Sequence, residues 1–190
     1  MHYTVCDLLL DVVQNSIEAE ARNVTVLLEE RDGRLTVEVA DDGQGMDEET
    51  LRRAQDPFYT EPGKHPGRRV GLGVPFLIQT VETCGGSYEM ESAPKRGTKL
   101  RFDLDLANVD TPPMGDLPST VRQMLCYDGD YEMEIVRRRE TAGYELKRSE
   151  LIETLGELET VGVLGLLQEF LESQEAWIEE EAEHGTDDPR

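Results

Sequence analysis

A strand that ends on a glycine-flanked carboxylate constrains this chain more than any other feature. Leu35, Val37 and Val39 share one face of a strand, and Thr36 and Glu38 share the other. Asp41 continues the apolar, inward series and opens the run Asp41-Asp42-Gly43-Gln44-Gly45-Met46-Asp47. A carboxylate turned toward a core is costly unless donors reach it. Gly43 and Gly45 permit a tight turn and leave room beside it. An acceptor-only group in an apolar slot suits a ligand with a paired N–H donor, such as an adenine amino group.

Two further stretches join it. Between Asp7 and Ala21 an apolar stripe (Leu8, Leu9, Val12, Val13, Ile17) predicts a helix whose other face carries Asp7, Asp11, Asn15 and Glu18. Asparagine is a poor helix former in a helix interior, and its oxygen suits a magnesium ion shared with phosphates. The stretch 57–74 holds Pro57, Phe58, Lys64, Arg68, Arg69, Gly71, Leu72 and Gly73, and runs into a predicted helix over 72–84. Glycines before a helix N-terminus present free N–H groups to an anion. Taken singly, each has a plainer reading: a turn, a surface asparagine, a helix cap, a solvated basic loop. The phosphate-loop lysine motif is absent, and Phe76 stands where a dinucleotide fingerprint needs its third glycine. Order and spacing favour a nucleotide site.

Leu9 to Ala19 resembles the N box of the gyrase, heat-shock chaperone, histidine kinase and mismatch-repair ATPase superfamily. Asp41-Asp42-Gly43-Gln44-Gly45 is similar to its first glycine box, Gly71-Leu72-Gly73-Val74 to the second and Gly97-Thr98 to the end of the third. Pro57-Phe58-Tyr59-Thr60 resembles the phenylalanine box of histidine kinases, and residues 71–104 read like a histidine kinase ATP-binding domain. The resemblance covers residues 3–106. It implies an α+β, two-layer sandwich of the Bergerat type, a mixed sheet with helices on one face.

The resemblance also implies roles. ATP would be held by Asp41 through the adenine amino group, with Gly43, Gly45, Met46 and Thr98 shaping the slot and Phe58 and Leu72 beside it. Asn15 would ligate Mg2+. Asp11 would orient that shell or activate water, as the catalytic residue. Members that hydrolyse ATP carry glutamate there, so the shorter Asp11 argues against efficient hydrolysis. Lys64, Arg68 and the amides of Gly71 and Gly73 would steady the phosphates. A loop over 56–70 is expected to close as a lid.

Composition bounds the partners. The 190 residues carry a net charge of −22, which opposes nucleic acid and anionic membrane. Residues 1–106 hold 20 acidic and 12 basic groups, and 107–190 hold 21 and 7. Cys6, Cys84 and Cys126 form no metal or disulfide pattern and fit a reduced, cytoplasmic protein. No long apolar run predicts a membrane span.

The expected organisation is an ATP-binding domain at 1–107, a linker at 108–117, and an acidic segment at 118–190. In that segment a helix is expected near 118–126, then a hairpin turning at Ala142-Gly143, a short helix, and a longer helix over 161–183. The last helix bears Val163, Leu166, Leu167, Phe170, Leu171, Trp177 and Ile178, which close a small core or offer a partner or homodimer surface. The N box begins within ten residues of Met1, and no histidine has a dimerising-helix context, so autophosphorylation in the usual manner is not expected. The leading expectation is a stand-alone kinase-type domain acting on a separate protein phosphoacceptor, laid out like anti-sigma-factor serine kinases. The alternatives are a nucleotide-gated interaction protein with little catalysis, or a slow ATPase switch.

Overall fold

The computed structural model describes residues 4–56 and 73–184. Helix α1 (Val5–Glu18) starts at a reciprocal cap. The Thr4 hydroxyl accepts from the Asp7 amide at 3.1 Å, and the Asp7 carboxylate accepts from the Thr4 amide at 2.8 Å. Asp7, expected on the polar face with Asp11 and Asn15, is therefore spent on the helix end. The opposite face, led by Leu8, Leu9 and Val13, is buried.

Strands β1 (Asn23–Arg31) and β2 (Arg34–Asp41) form the expected hairpin. Asp32 and Gly33 both take positive φ, the geometry that matches strand twist in a two-residue turn. A short helix α2 (Glu48–Ala54) follows the glycine run. Helix α3 (Gly73–Thr83) leads into the β3 (Ser87–Ser92) and β4 (Thr98–Asp105) hairpin. Leu100, Phe102 and Leu104 of β4 are buried as the alternation predicts. Leu106 continues the same alternation in sequence, but β4 ends at Asp105 and Leu106 is 41% exposed.

The next residues were expected to be a linker. They are fastened to α1 instead: Val5 and Cys6, whose amides lie in the unpaired first turn, donate to the carbonyls of Pro113 and Met114, both at 2.9 Å. Beyond them come α4 (Leu117–Leu125), β5 (Glu132–Arg139), β6 (Ala142–Lys147), α5 (Arg148–Leu155) and α6 (Val161–His184). Strand β5 pairs in parallel with β1, and β6 pairs with β5, giving one six-stranded mixed sheet in the order β3-β4-β2-β1-β5-β6. Met133 and Ile135 of β5 join the same core as Val26 and Leu28 of β1. Sheet and core run straight across residues 108–117, so the C-terminal segment builds no second core of its own.

The turn before β6 is also displaced from its expected place. Glu140 takes the left-handed conformation (φ 50°), and Ala142 already pairs with Arg139. Gly143 lies inside the strand, where an added Cβ would come within 2.4 Å of the Arg137 carbonyl. Arg137 itself, in a run of three arginines, is 3% exposed and ion-paired with Glu30 of β1 and Glu175 of α6. Tyr144 donates to the same Glu175 at 2.8 Å, so α6 is tied to the sheet by a buried polar cluster as well as by Leu167 and Leu171.

Candidate functional site

Asp41 ends β2 in the layer between sheet and helices. Its Oδ2 accepts from the Ser16 hydroxyl of α1 at 2.8 Å. Its Oδ1 accepts from the amides of Gly43 at 2.9 Å and Thr98 at 3.2 Å. A carboxylate offers about four lone-pair sites. Among the described residues three donors reach it, two on Oδ1 and Ser16 on Oδ2. The expected cost of an inward carboxylate is met by these donors.

A cavity of ≈ 270 Å³ opens beside Asp41. Of the residues singled out in the sequence, Asn15, Asp41, Gly45, Met46, Gly73 and Thr98 line it. Its apolar walls include Val12 of α1, Ala19 at that helix's C-terminal cap, Val39 of β2 and Met90 of β3. Gly43 and Asp11 stand just outside. Gly43 is packed behind the carboxylate, where a Cβ would sit 2.8 Å from the Ala19 carbonyl. Asp11 is against the first turn of α3, its Oδ2 3.2 Å from where a Cβ on Gly73 would lie. Phe58, Lys64, Arg68, Gly71, Leu72 and the expected lid over 56–70 lie outside the described residues, save Asp56 at its edge.

The glycines earn their places by close contact within the protein more than by leaving room for a ligand. Gly45 has φ +63°, and a Cβ there would meet the Ala93 carbonyl at 2.0 Å. Gly97 has φ +77°, and a Cβ would meet the Asp41 carbonyl at 1.8 Å. The glycine run after β2 and the β3–β4 turn therefore press together, and Lys95 seals them by donating its amide to the Gln44 carbonyl at 2.6 Å.

Two serines escaped the sequence reading. Ser16 follows Val12 by four residues, so the buried stripe of α1 contains one hydroxyl, and a polar residue in an apolar series was the available signal. Ser92 carried no such signal. Its hydroxyl accepts from the Met46 amide at 2.8 Å, donates to the Gly97 carbonyl at 2.9 Å and lies 2.9 Å from the Thr98 hydroxyl. The next carboxylate, Asp42, points away and binds the Arg22 and Asn23 amides at 2.7 and 2.8 Å. The Asn23 side chain, more than any other contact, holds it below the usual carboxylate range.

The C-terminal segment reaches the site's border. Burial raises the Tyr127 phenol above its ordinary value, Gln123 opposes that by hydrogen bonding, and the Asp11 carboxylate adds to the rise. Among the described residues no group of three or more His, Cys, Asp or Glu side chains could hold a metal. Asn15 is the metal ligand expected from sequence, and it lines the cavity beside Ser16.

Comparison with known proteins agrees with this geometry. The family model described as histidine kinase-, DNA gyrase B-, and HSP90-like ATPase matches residues 4–108. The sensor histidine kinase ZraS of Klebsiella oxytoca is 37% identical over 99 residues, covering 50% of this chain and 21% of that protein. The sensor protein DegM of Bacillus sp. (strain B21-2) is 32% identical over 100 residues, covering 52% and 26%. The chain thus spans about a quarter or less of the length of these relatives. Among solved structures, the N-terminal domain of a DNA repair protein superposes with a TM-score of 0.53 at 13% identity, over 85% of this chain and 58% of that one. That likeness is one of fold, and it extends past residue 108. No described helix is long and apolar enough to cross a membrane. By its N-terminal half the chain belongs to the histidine kinase-, DNA gyrase B-, and HSP90-like ATPase family.

Proposed function

We propose that this chain binds Mg-ATP between α1, the glycine run and α3, and acts as a kinase-type domain on a separate protein. The observation that carries the reading is Asp41 Oδ2, which takes a single donor among the described residues, at the wall of a largely apolar cavity. It suits an amino group on a flat, apolar base. Ser16 and the Thr98 amide fix the carboxylate's rotamer, so recognition needs little reordering. Gly73 and Val74 at the start of α3 line the cavity, where a helix N-terminus and its dipole favour an anion.

ATP, once bound, would supply the phosphoryl group, and phosphoryl transfer depends mostly on positioning and charge. Asn15 would present its amide oxygen to the metal, and Asp11, held beside Gly73, would orient water or an acceptor hydroxyl. Lys64 and Arg68 would balance phosphate charge. The three cysteines are free thiols, which supports a reducing cytoplasmic setting.

A second reading, a nucleotide-gated interaction protein, draws support from α4. It packs against α1, which carries Asn15 and Ser16, and against α6 on its other side. Incubation with gamma-labelled ATP, magnesium and co-purifying proteins separates the two. Label on a partner chain supports the kinase. Calorimetric Mg-ATP binding without transfer supports the gated binder, and no binding at all defeats both.

A further inference from the structure

Helix α6 carries two apolar stripes where the sequence pattern showed one. Leu167, Leu171 and Ile178 are fully buried, the first two within the common core. Leu166, Phe170 and Trp177 are 57%, 40% and 44% exposed, although they are among the largest side chains in the helix. Their spacing of four and seven residues aligns them along one line. The line lies on the flank turned away from α4. Gln168, whose side chain reaches Ser119 of α4, is about 200° around the helix from Leu166. Strand β6, against which α6 packs, is the sheet's edge, and α4, β5 and β6 are the described elements that α6 chiefly meets.

The surroundings of the stripe are of one sign. Between Val161 and Ala182 the sequence holds six glutamates and no lysine or arginine. Glu169 and Glu180 run beside the stripe on its solvent side, and Glu181 is exposed near its C-terminal end. A second copy would bring the same glutamates and a further charge of −22 to the contact. Like charges juxtaposed at an interface select against that pairing. An apolar line rimmed by carboxylates is complementary to an amphipathic helix with apolar residues on one face and lysine or arginine flanking them.

We propose that the outer flank of α6, centred on Leu166, Phe170 and Trp177, docks a basic amphipathic helical segment of a partner protein. Phe170 and Trp177 supply the apolar anchors, and the glutamate rim selects the partner's charge. The surface lies outside the nucleotide cavity and does not depend on the chain's catalytic role.

Trp177 is the single tryptophan of the chain and reports directly on the surface. The full chain is titrated, at ionic strength near the physiological value of about 0.15 M, with a synthetic helix bearing leucine on one face and lysine on the other. A saturable blue shift of the tryptophan emission is expected. A peptide of the same composition, scrambled to remove the apolar face, should leave the emission unchanged. So should a helix with glutamate in place of lysine. The double variant Leu166→Ser, Phe170→Ser preserves charge and the buried stripe, and it should bind the lysine helix about tenfold more weakly or worse. Equal binding by the scrambled peptide would reduce the effect to bulk charge and overturn the proposal. So would an unaltered double variant, or no shift at all. A blue shift that grows with protein concentration alone would assign the flank to a second copy, and a shift only on zwitterionic lipid vesicles would assign it to a bilayer surface; either overturns it.

Discussion

The Ser16 hydroxyl donates to Asp41 Oδ2 at 2.8 Å and thereby joins the buried face of α1 to the end of β2 across 25 residues of sequence. With Gly43 and Thr98 as further donors, Asp41 both organises the cavity and offers it an acceptor. Asp41→Asn turns one acceptor into a donor, facing either a protein donor or the base. ATP affinity should fall by roughly 1–3 kcal/mol or more, tenfold to beyond a hundredfold, with some loss of thermal stability. Ser16→Ala leaves the carboxylate in place and should cost only about 1 kcal/mol. Calorimetry of both variants checks the ranking. ATP affinity unchanged in Asp41→Asn would remove the base from this cavity.

Gly97 makes a sharper demand. Alanine there would need φ +77° and would place its Cβ 1.8 Å from the Asp41 carbonyl. Gly33 has φ +73°, yet nothing lies within 4 Å of its added Cβ. Gly33→Ala should therefore cost about 1–2 kcal/mol, the left-handed penalty alone. Gly97→Ala should cost clearly more and should also disturb nucleotide binding, because the clash falls on Asp41, the residue proposed to hold the base. Denaturant midpoints of the two variants supply the comparison, and equal losses would contradict the close approach.

Much of this was legible in the sequence because local and tertiary demands coincide. Strand alternation through Val39 placed Asp41, and the helical stripe of α1 placed Asn15 on the cavity. The misreadings share a cause: long-range pairing decided the outcome. Nothing local in Glu132–Arg139 says that it pairs in parallel with β1, and so nothing in the sequence marks Arg137 as the arginine that Glu30 and Glu175 enclose. Gly143 resembled a turn because glycine serves equally where a neighbouring carbonyl comes close. Ser92 acts only through residues distant in sequence or across its hairpin, which no local pattern announces.

Arg137 tests that buried cluster. Removing it by Arg137→Met leaves Glu175 without its cation and Glu30 with only Arg139 at 3.5 Å, and a broken buried pair costs about 3–5 kcal/mol. Adding Glu175→Gln and Glu30→Gln should recover much of the loss, since the uncompensated charge is the main penalty. Chemical denaturation of the single and triple variants decides the matter. A triple variant no more stable than the single would assign the cost to lost packing instead.

Asp42 predicts part of the acid behaviour. Its carboxyl is held below the ordinary range, chiefly by the Asn23 side chain, so the folded state binds a proton less readily than the unfolded chain. The stabilisation is complete above the ordinary carboxylate pKa of about 3.9 and is lost as pH falls through the depressed folded value. Asp42→Asn should lower stability near neutrality and flatten the fall at acid pH. A variant whose stability still falls with acid as steeply as the parent's would mean that other carboxyls dominate that limb.

Helix α4 offers the route by which a ligand at α1 could be felt at α6. It packs against both, and its Thr120 and Val121 are buried between them. Coupling requires that the nucleotide bind two arrangements of this helix unequally. Hydrogen exchange with and without a non-hydrolysable ATP analogue should show added protection at the C-terminal turn of α1 and in residues 41–46, whose amides line or brace the cavity. If the chain works as a nucleotide-gated binder, protection should also change along α4 and reach the Leu166–Trp177 stretch of α6. A response confined to α1 and the glycine run would leave α4 as passive packing and favour the kinase reading. No response at the glycine run would count against the nucleotide site itself.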